Sequence, residues 1–343
     1  MEFEIPLALA MLISVAIYWI WFFSPALYLF EYIDKKLSAD MQMRIGPKES
    51  GSFGFLQHLA NRIKWFTKED LVSGGLGTSW GPVLSVFCLF VAMSALPTSE
   101  EWVVSNVDNS LLLVVLGLFF TRYFLYWAAF STKEISEISS FRLLGQNAYY
   151  LLPVFLSVSA AAIVCGTDNL VEIVRFQGGM PWNWIVLHNP GTFVSAIGLF
   201  WSIHLWISRA PFDFTENAVD REHGYKQAYS SHWLGVFHFI EYGALYLGMA
   251  LIVVLYLGAG RTPFSLEYFG RASSIIQFLI FFLKTLALTL LSIWLRWSLP
   301  QLKADQIFKF SWKFLVPLNL AGLMMSALWM SWHMGKGFWW FHG

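Results

Sequence analysis

Residues 234–257 read LGVFHFIEYGALYLGMALIVVLYL, a run with one formal charge, Glu241, and no proline. A bilayer core needs about 20 apolar helical residues, and this run shows none of the period-two alternation of a half-buried strand. It reads as a membrane-spanning helix. Similar runs lie on both sides of it: about Ile5–Tyr32, Pro82–Leu96, Leu111–Phe130, Gln146–Val164, Trp184–Ile207, Ile275–Trp297 and Trp312–Trp332. The expected fold is therefore all-α, one polytopic membrane domain of about eight transmembrane helices over residues 1–343. The composition agrees. The chain is 57% hydrophobic and 18% aromatic but only 13% charged, about half the charge of a soluble domain. Its 18 Trp and 32 Phe suit aromatic belts at the two interfaces. No cleavable leader is expected, because Glu2 precedes the first apolar run and no small-residue cleavage site follows it.

The charges give the orientation. Of the 22 Lys and Arg, 17 lie in or beside the loops after the first, third, fifth and seventh spans. Basic loops stay on the cytoplasmic (or mitochondrial matrix) side, so both termini are expected outside. The same loops hold the other polar features. The first, 33–81, contains a stretch from Phe53 to Phe66 with Leu56, Leu59, Ala60, Ile63 and Phe66 on one helical face. Gln57, His58, Asn61, Arg62 and Lys64 fall opposite. That is an amphipathic helix for the interface plane. The third basic loop spans 208–233. Within it Asp213, Glu216 and Asp220 would share a face if helical, and their mutual repulsion would favour holding a proton. Two further ionisable groups, Glu241 and Lys284, lie at membrane depth, where such groups are functional candidates by default.

Several classes are excluded or weakened. Zero net charge points to no nucleic-acid partner. Cys88 and Cys165 are far apart in apolar runs, so no CxxC-type metal or iron–sulfur site is expected from this chain. The glycines of 51–77 lack the spacing of a phosphate or dinucleotide loop. His204 and His238 leave a haem reading open. A transporter would call for an inverted repeat, and none is visible.

The loop sequences carry a resemblance. Segment 41–69, MQMRIGPKESGSFGFLQHLANRIKWFTKE, resembles the first basic loop of the complex I membrane subunit that walls the quinone chamber, with Gln42, Arg44, Gly46 and Pro47 at motif positions. RAPFDFTE at 209–216 resembles that family's third loop, and Glu241-Tyr242 its acid–tyrosine pair. A third match runs from Lys284 to Pro317 and includes Arg296 and Asp305, and a weaker one from Arg142 to Pro153.

The resemblance implies a subunit without stand-alone catalysis. It would join membrane and peripheral arms of a proton-translocating NADH (or other donor):quinone oxidoreductase in a bacterial inner or mitochondrial inner membrane. Quinone is the implied substrate. Iron–sulfur clusters and flavin would sit in partner subunits, with small membrane and antiporter-like subunits and lipids alongside. Gln42, Arg44, Phe53, Phe55, Gln57, Phe212 and Asp213 are the implied chamber residues. Asp213, Glu216, Asp220, Glu241 and Lys284 are the implied proton-transfer residues. The alternative is an ion-transporting or structural subunit of a related hydrogenase- or antiporter-type complex without quinone chemistry. Departures bear on that choice. Leu151, Trp206, Ala218 and Ala228 stand where the family carries glutamates, Asn61 where it carries aspartate, and Asp34-Lys35-Lys36 replaces Glu-Arg-Lys. Proton coupling is expected to be altered or rerouted.

Overall fold

The computed structural model describes residues 24–70, 76–100, 102–130, 134–213, 229–262 and 272–334. The helices in chain order are α1 (Ser24–Met41), α2 (Gln57–Thr67), α3 (Leu76–Ser94), α4 (Ser110–Phe130), α5 (Glu134–Cys165) and α6 (Leu170–Phe176). They continue as α7 (Ile185–His188), α8 (Pro190–Ile207), α9 (Ser231–Tyr256), α10 (Ala272–Ser298), α11 (Ala304–Phe310) and α12 (Val316–Met334). No strand occurs among the described residues, and the fold is all-α. Six of these helical runs are long and apolar enough to cross a bilayer. A seventh forms if α5 and α6, bent by 58° at their junction, are one span. Most of the expected first span, 5–23, lies outside the described residues.

The apolar run at 234–257 lies in α9, at the centre of the bundle. The other elements bury 89% of α9's apolar stretch, against 28% for α10 and 22% for the α11–α12 run, which face outward. α9 packs on α1, α2, α3, α6, α8 and α10. A second group, α5, α8 and α12, packs beside it, and α3 pairs with α4. That last pair depends on small residues: a Cβ added at Gly117 would lie 2.6 Å from the Cβ of Ala92. Small residues let helices approach closely where lipid supplies no hydrophobic drive.

Several boundaries differ from expectation, each for a local reason. α1 runs on past Tyr32 to Met41, so Asp34, Lys35 and Lys36 are helical and not in a loop. α2 begins at Gln57, because Gly51, Phe53 and Gly54 all have positive φ (76°, 58° and 77°) and form a turn. α3 begins at Leu76 and carries Pro82 inside it. α5 starts at Glu134, well before Gln146. α8 starts at Pro190, where Trp184 was expected. Asn189 accepts from the Thr192 amide at 2.6 Å, with Pro190 at the first helical position, a strong start signal.

Two prolines shape the α5–α12 contact. Pro153 has no N–H for the Tyr149 carbonyl four residues back, and the Ser311 hydroxyl donates to that carbonyl instead. Ser311 opens the π-turn Ser311–Leu315, which precedes Pro317 and widens the helix there. Asn319 Nδ2 then donates to the Pro153 carbonyl at 3.0 Å.

Candidate functional site at the basic end of the bundle

Two acids three residues apart on α1 organise this end. Glu31 and Asp34 are both buried, at 4% and 2% exposure. A buried carboxylate is tolerated only when paired, and both are paired several times over. Asp34 Oδ2 accepts from Arg209 Nη2 at 3.0 Å, from the Tyr242 hydroxyl at 3.0 Å and from Arg296 Nη1 at 3.3 Å. One carboxylate thus ties α1 to α9, to α10 and to the segment after α8. The Arg209 guanidinium also lies 5.2 Å from the Tyr242 ring centre. Asp34 sits past the apolar run that ends at Tyr32. Burial alone would raise its carboxyl. Arg209 and Arg296, with the Tyr242 hydroxyl, overcome burial and hold it below the usual carboxylate range.

Glu31 serves α2. Its Oε1 lies 2.8 Å from Lys35 Nζ and 3.1 Å from His58 Nδ1, and its Oε2 lies 3.5 Å from Arg62 Nη2. The polar face of α2 therefore turns inward. Its apolar residues Leu59 and Ile63 point out, 48% and 57% exposed, and Phe66, 80% exposed, stands at the mouth of the cleft described below. The turn before α2 is pinned to α1, since the Tyr32 hydroxyl donates to the Phe53 carbonyl at 3.0 Å and the Tyr28 hydroxyl to that of Phe55. At the other end the Ser231 hydroxyl donates to the Trp65 carbonyl at 2.9 Å. The Trp65 ring stacks on His238 with centres 5.2 Å apart. Gly235 makes room, for a Cβ there would lie 2.9 Å from the Trp65 ring.

Between α1, α2, α3 and α9 lies a cleft of about 260 Å³. Leu27, Trp65, Phe66, Val86, Val236 and Phe239 give it apolar walls, and Glu31, Arg62, His232, His238 and Tyr242 give it polar points. A mostly apolar cleft with a few placed polar groups is the usual form of a site for an amphipathic small molecule.

The sequence-predicted residues fall elsewhere. Gln42 and Arg44 are exposed and bonded to each other, Nε to Oε1 at 2.7 Å. Phe53 and Phe55 are exposed in the turn before α2, with the Phe55 ring edge-on to Tyr28 at 4.9 Å. Gln57 accepts from Ser50 at 2.6 Å. None of these five lines the cleft. Phe212 is buried against Trp201 and Phe310, with ring centres 6.1 and 5.3 Å away, and Asp213 is buried next to it. Glu216 and Asp220 lie outside the described residues. Glu241 lies 3.7 Å from His238. Lys284 is at the far end of α9, donating to the Leu257 and Ala259 carbonyls at 2.7 and 2.8 Å with Trp184 4.4 Å away. His204 has both ring nitrogens occupied, by the Phe200 carbonyl and the Ser292 hydroxyl at 2.8 Å each, which leaves no nitrogen for haem.

Similarity to known sequences decides the family. Residues 13–327 match the family described as NADH dehydrogenase. The chain belongs to that family. It is 30% identical to an F(420)H(2) dehydrogenase subunit of Methanosarcina mazei, over 86% of this chain and 87% of the relative. It is also 30% identical to an NADH-quinone oxidoreductase subunit of Desulfotalea psychrophila, over 86% and 90%, and 29% identical to that of Anaeromyxobacter dehalogenans, over 86% and 76%. Like these NADH dehydrogenase relatives, the chain is a membrane subunit of a complex I-like oxidoreductase. The key residues that sequence reasoning missed are Glu31, Asp34 as an ion-pair centre, Arg62 and the Trp65–His238 stack. The available signal was a pair of acids three apart at the end of an apolar helix, just ahead of basic residues.

Two of the positions where glutamate was expected meet in space. Leu151 of α5 and Trp206 of α8 both line one void of about 10 Å³, with Val115, Leu118, Val154 and Ile203. A void that small is at the limit for a single water, and Tyr150 lines it too. Trp206 is fixed there, its indole N–H donating to the Leu118 carbonyl at 3.2 Å and its ring 5.6 Å from the Arg122 guanidinium. Ala218 and Ala228 lie outside the described residues.

Proposed function

We propose that this chain forms the membrane-side quinone passage of its complex, at the junction with the peripheral arm, and that the cleft between α1, α2, α3 and α9 is that passage. The observation that carries the reading is the inverted α2. Its apolar face points outward, as a helix embedded in lipid requires, and its polar face and Trp65 border an apolar cleft beside it. A quinone with an isoprenoid tail can move sideways from bilayer into such a cleft without crossing water. The exposed Gln42, Arg44, Phe53 and Phe55, with the half-buried Gln57, are the surface for the peripheral partner, which supplies flavin and iron–sulfur clusters. Outward-facing α10 and α12 suit lipid, small membrane subunits and antiporter-like subunits. The donor is NADH or a similar two-electron carrier, given that relatives carry both NADH and F(420)H(2) in their names.

Coupling to proton movement is altered in this reading. Leu151 and Trp206, side by side at one void where the family carries glutamates, take two proton-carrying groups out of the α5–α8 interface. The remaining route lies through Asp213, Glu216 and Asp220 to Glu241, with the whole in a bacterial or mitochondrial inner membrane. A photoactivatable long-tailed quinone, applied to the purified complex, tests the passage. Label is expected in peptides from 24–41, 57–67 and 231–242. Label confined to partner subunits or to α12 would refute the assignment.

A further inference from the structure

The polar groups around the cleft are unequally committed. The Tyr242 hydroxyl is bonded to Asp34 at 3.0 Å, and Glu31 Oε1 takes Lys35 and His58 at 2.8 and 3.1 Å. Arg62 differs. Among the described residues its polar partner is Glu31 Oε2 at 3.5 Å, the outer limit of a hydrogen bond, and its guanidinium lies 5.6 Å from the Tyr28 ring centre. A guanidinium carries five N–H donors. Among the described residues, most of those on Arg62 have no protein acceptor where the side chain reaches the apolar cleft.

We propose that Arg62 binds the headgroup of the cleft's ligand, donating to a carbonyl-type oxygen at the head of a long apolar tail, and that Glu31 is the residue that positions it. This rests on the quinone reading above and adds to it the recognising group. The supporting geometry is rigidity and charge. α2 is fixed at one end by Tyr28 and Tyr32 and at the other by Ser231, so Arg62 is held ready before any ligand arrives. Leu27, Val86, Phe66 and Phe239 give the tail an apolar wall. A phospholipid phosphate shares the acceptor chemistry, and the single Glu31 carboxylate, held by Lys35 at 2.8 Å, leaves Arg62 with charge to spare. The mostly apolar cleft beside Arg62 favours a long-tailed quinone, and native mass spectra in the test below separate the two.

The test uses the intact complex in lipid nanodiscs carrying Arg62→Gln, Arg62→Lys, Glu31→Gln or Gly235→Leu. Rates are measured with a long-tailed quinone, and with a water-soluble acceptor that takes electrons from the peripheral subunits. Arg62→Gln is expected to raise the quinone KM roughly tenfold or more, the loss of one hydrogen bond from a charged donor, with kcat at saturation much less affected. Glu31→Gln should raise it less, and Arg62→Lys should fall between, because an ammonium cannot reproduce the planar fork. If Arg62→Gln does not assemble, Arg62→Lys decides by the same KM. An unchanged KM in the Arg62 variants, with a raised KM in Gly235→Leu, overturns the role of Arg62 and leaves the passage standing. An unchanged KM in all four overturns both. An unchanged KM with a co-purified phospholipid lost from Arg62→Gln in native mass spectra assigns the site to lipid and overturns the proposal.

Discussion

Replacing Asp34 by Asn keeps the side chain's size and removes only its charge. In the native protein that one carboxylate answers Arg209, Arg296 and Tyr242 from three separate parts of the chain. The amide can still accept from one of them, but Arg209 and Arg296 both lose the Asp34 charge from their surroundings. Arg209 is largely buried, at 13% side-chain exposure, whereas Arg296 is at 32% and partly served by water. Removing one partner of a buried ion pair costs about 3–5 kcal/mol. The half-wet Arg296 argues for the lower end, so the expected loss is about 3 kcal/mol, or roughly a hundredfold in the folded-to-unfolded ratio. Cys88 and Cys165 are free thiols in apolar helices and report unfolding to a thiol-reactive dye. Asp34→Asn should react at a markedly lower temperature and assemble poorly on native gels, and Asp34→Glu should recover part of the loss. If Asp34→Asn melts with the wild type, the claim that this carboxylate joins α1, α9 and α10 is wrong.

Three further outcomes follow from the same geometry. Because the Asp34 carboxyl is held below its ordinary range, its stabilisation is present above about pH 4, the unfolded value, and is lost as pH falls through the lower folded value. Melts followed by intrinsic tryptophan fluorescence from pH 7 down to pH 3 should show a late drop in the wild type that is much smaller in Asp34→Asn. Lys284→Met removes two hydrogen bonds to the carbonyl end of α9 and should cost about 1–3 kcal/mol by the same assay, with quinone KM unchanged. Trp206→Glu loses an indole buried to 1% and its bond to Leu118, and should destabilise by about 3 kcal/mol or more where Trp206→Phe is mild. A stable Trp206→Glu would mean the contact with Leu151 is wetter than it looks.

Which parts of the fold could be read from sequence follows from what each element faces. α9 is buried all round, so its apolar run had no competing interpretation. Hydropathy alone starts α8 too early, at Trp184, because 184–188 is apolar enough to extend the run. The start at Asn189-Pro190 was legible in the capping residues and was outweighed by hydropathy. α1 and α5 were cut short at their basic ends for the opposite reason. Charges at 34–36 and 134–142 looked like loop, yet a helix leaving the bilayer continues as long as its backbone bonds are satisfied and its charges find partners. The Ser311 contact with Tyr149 was beyond sequence reasoning, because only the third dimension brings a freed carbonyl to a hydroxyl 162 residues away.

The site shows the same limit more sharply. RAPFD and the loop after α1 marked the correct end of the molecule, because turn and loop chemistry is local. They did not give the pairing. Asp34 meets partners 175, 208 and 262 residues away, and nothing in the spacing of Arg209, Tyr242 and Arg296 singles out that acid over Asp40 or Glu49. The orientation of α2 was hidden for a related reason. Its residue pattern is that of any amphipathic helix, and the pattern alone does not say which face meets protein. Glu31 answers that. A carboxylate buried on α1 must draw His58 and Arg62 inward, and once they turn in, Leu59 and Ile63 can only turn out.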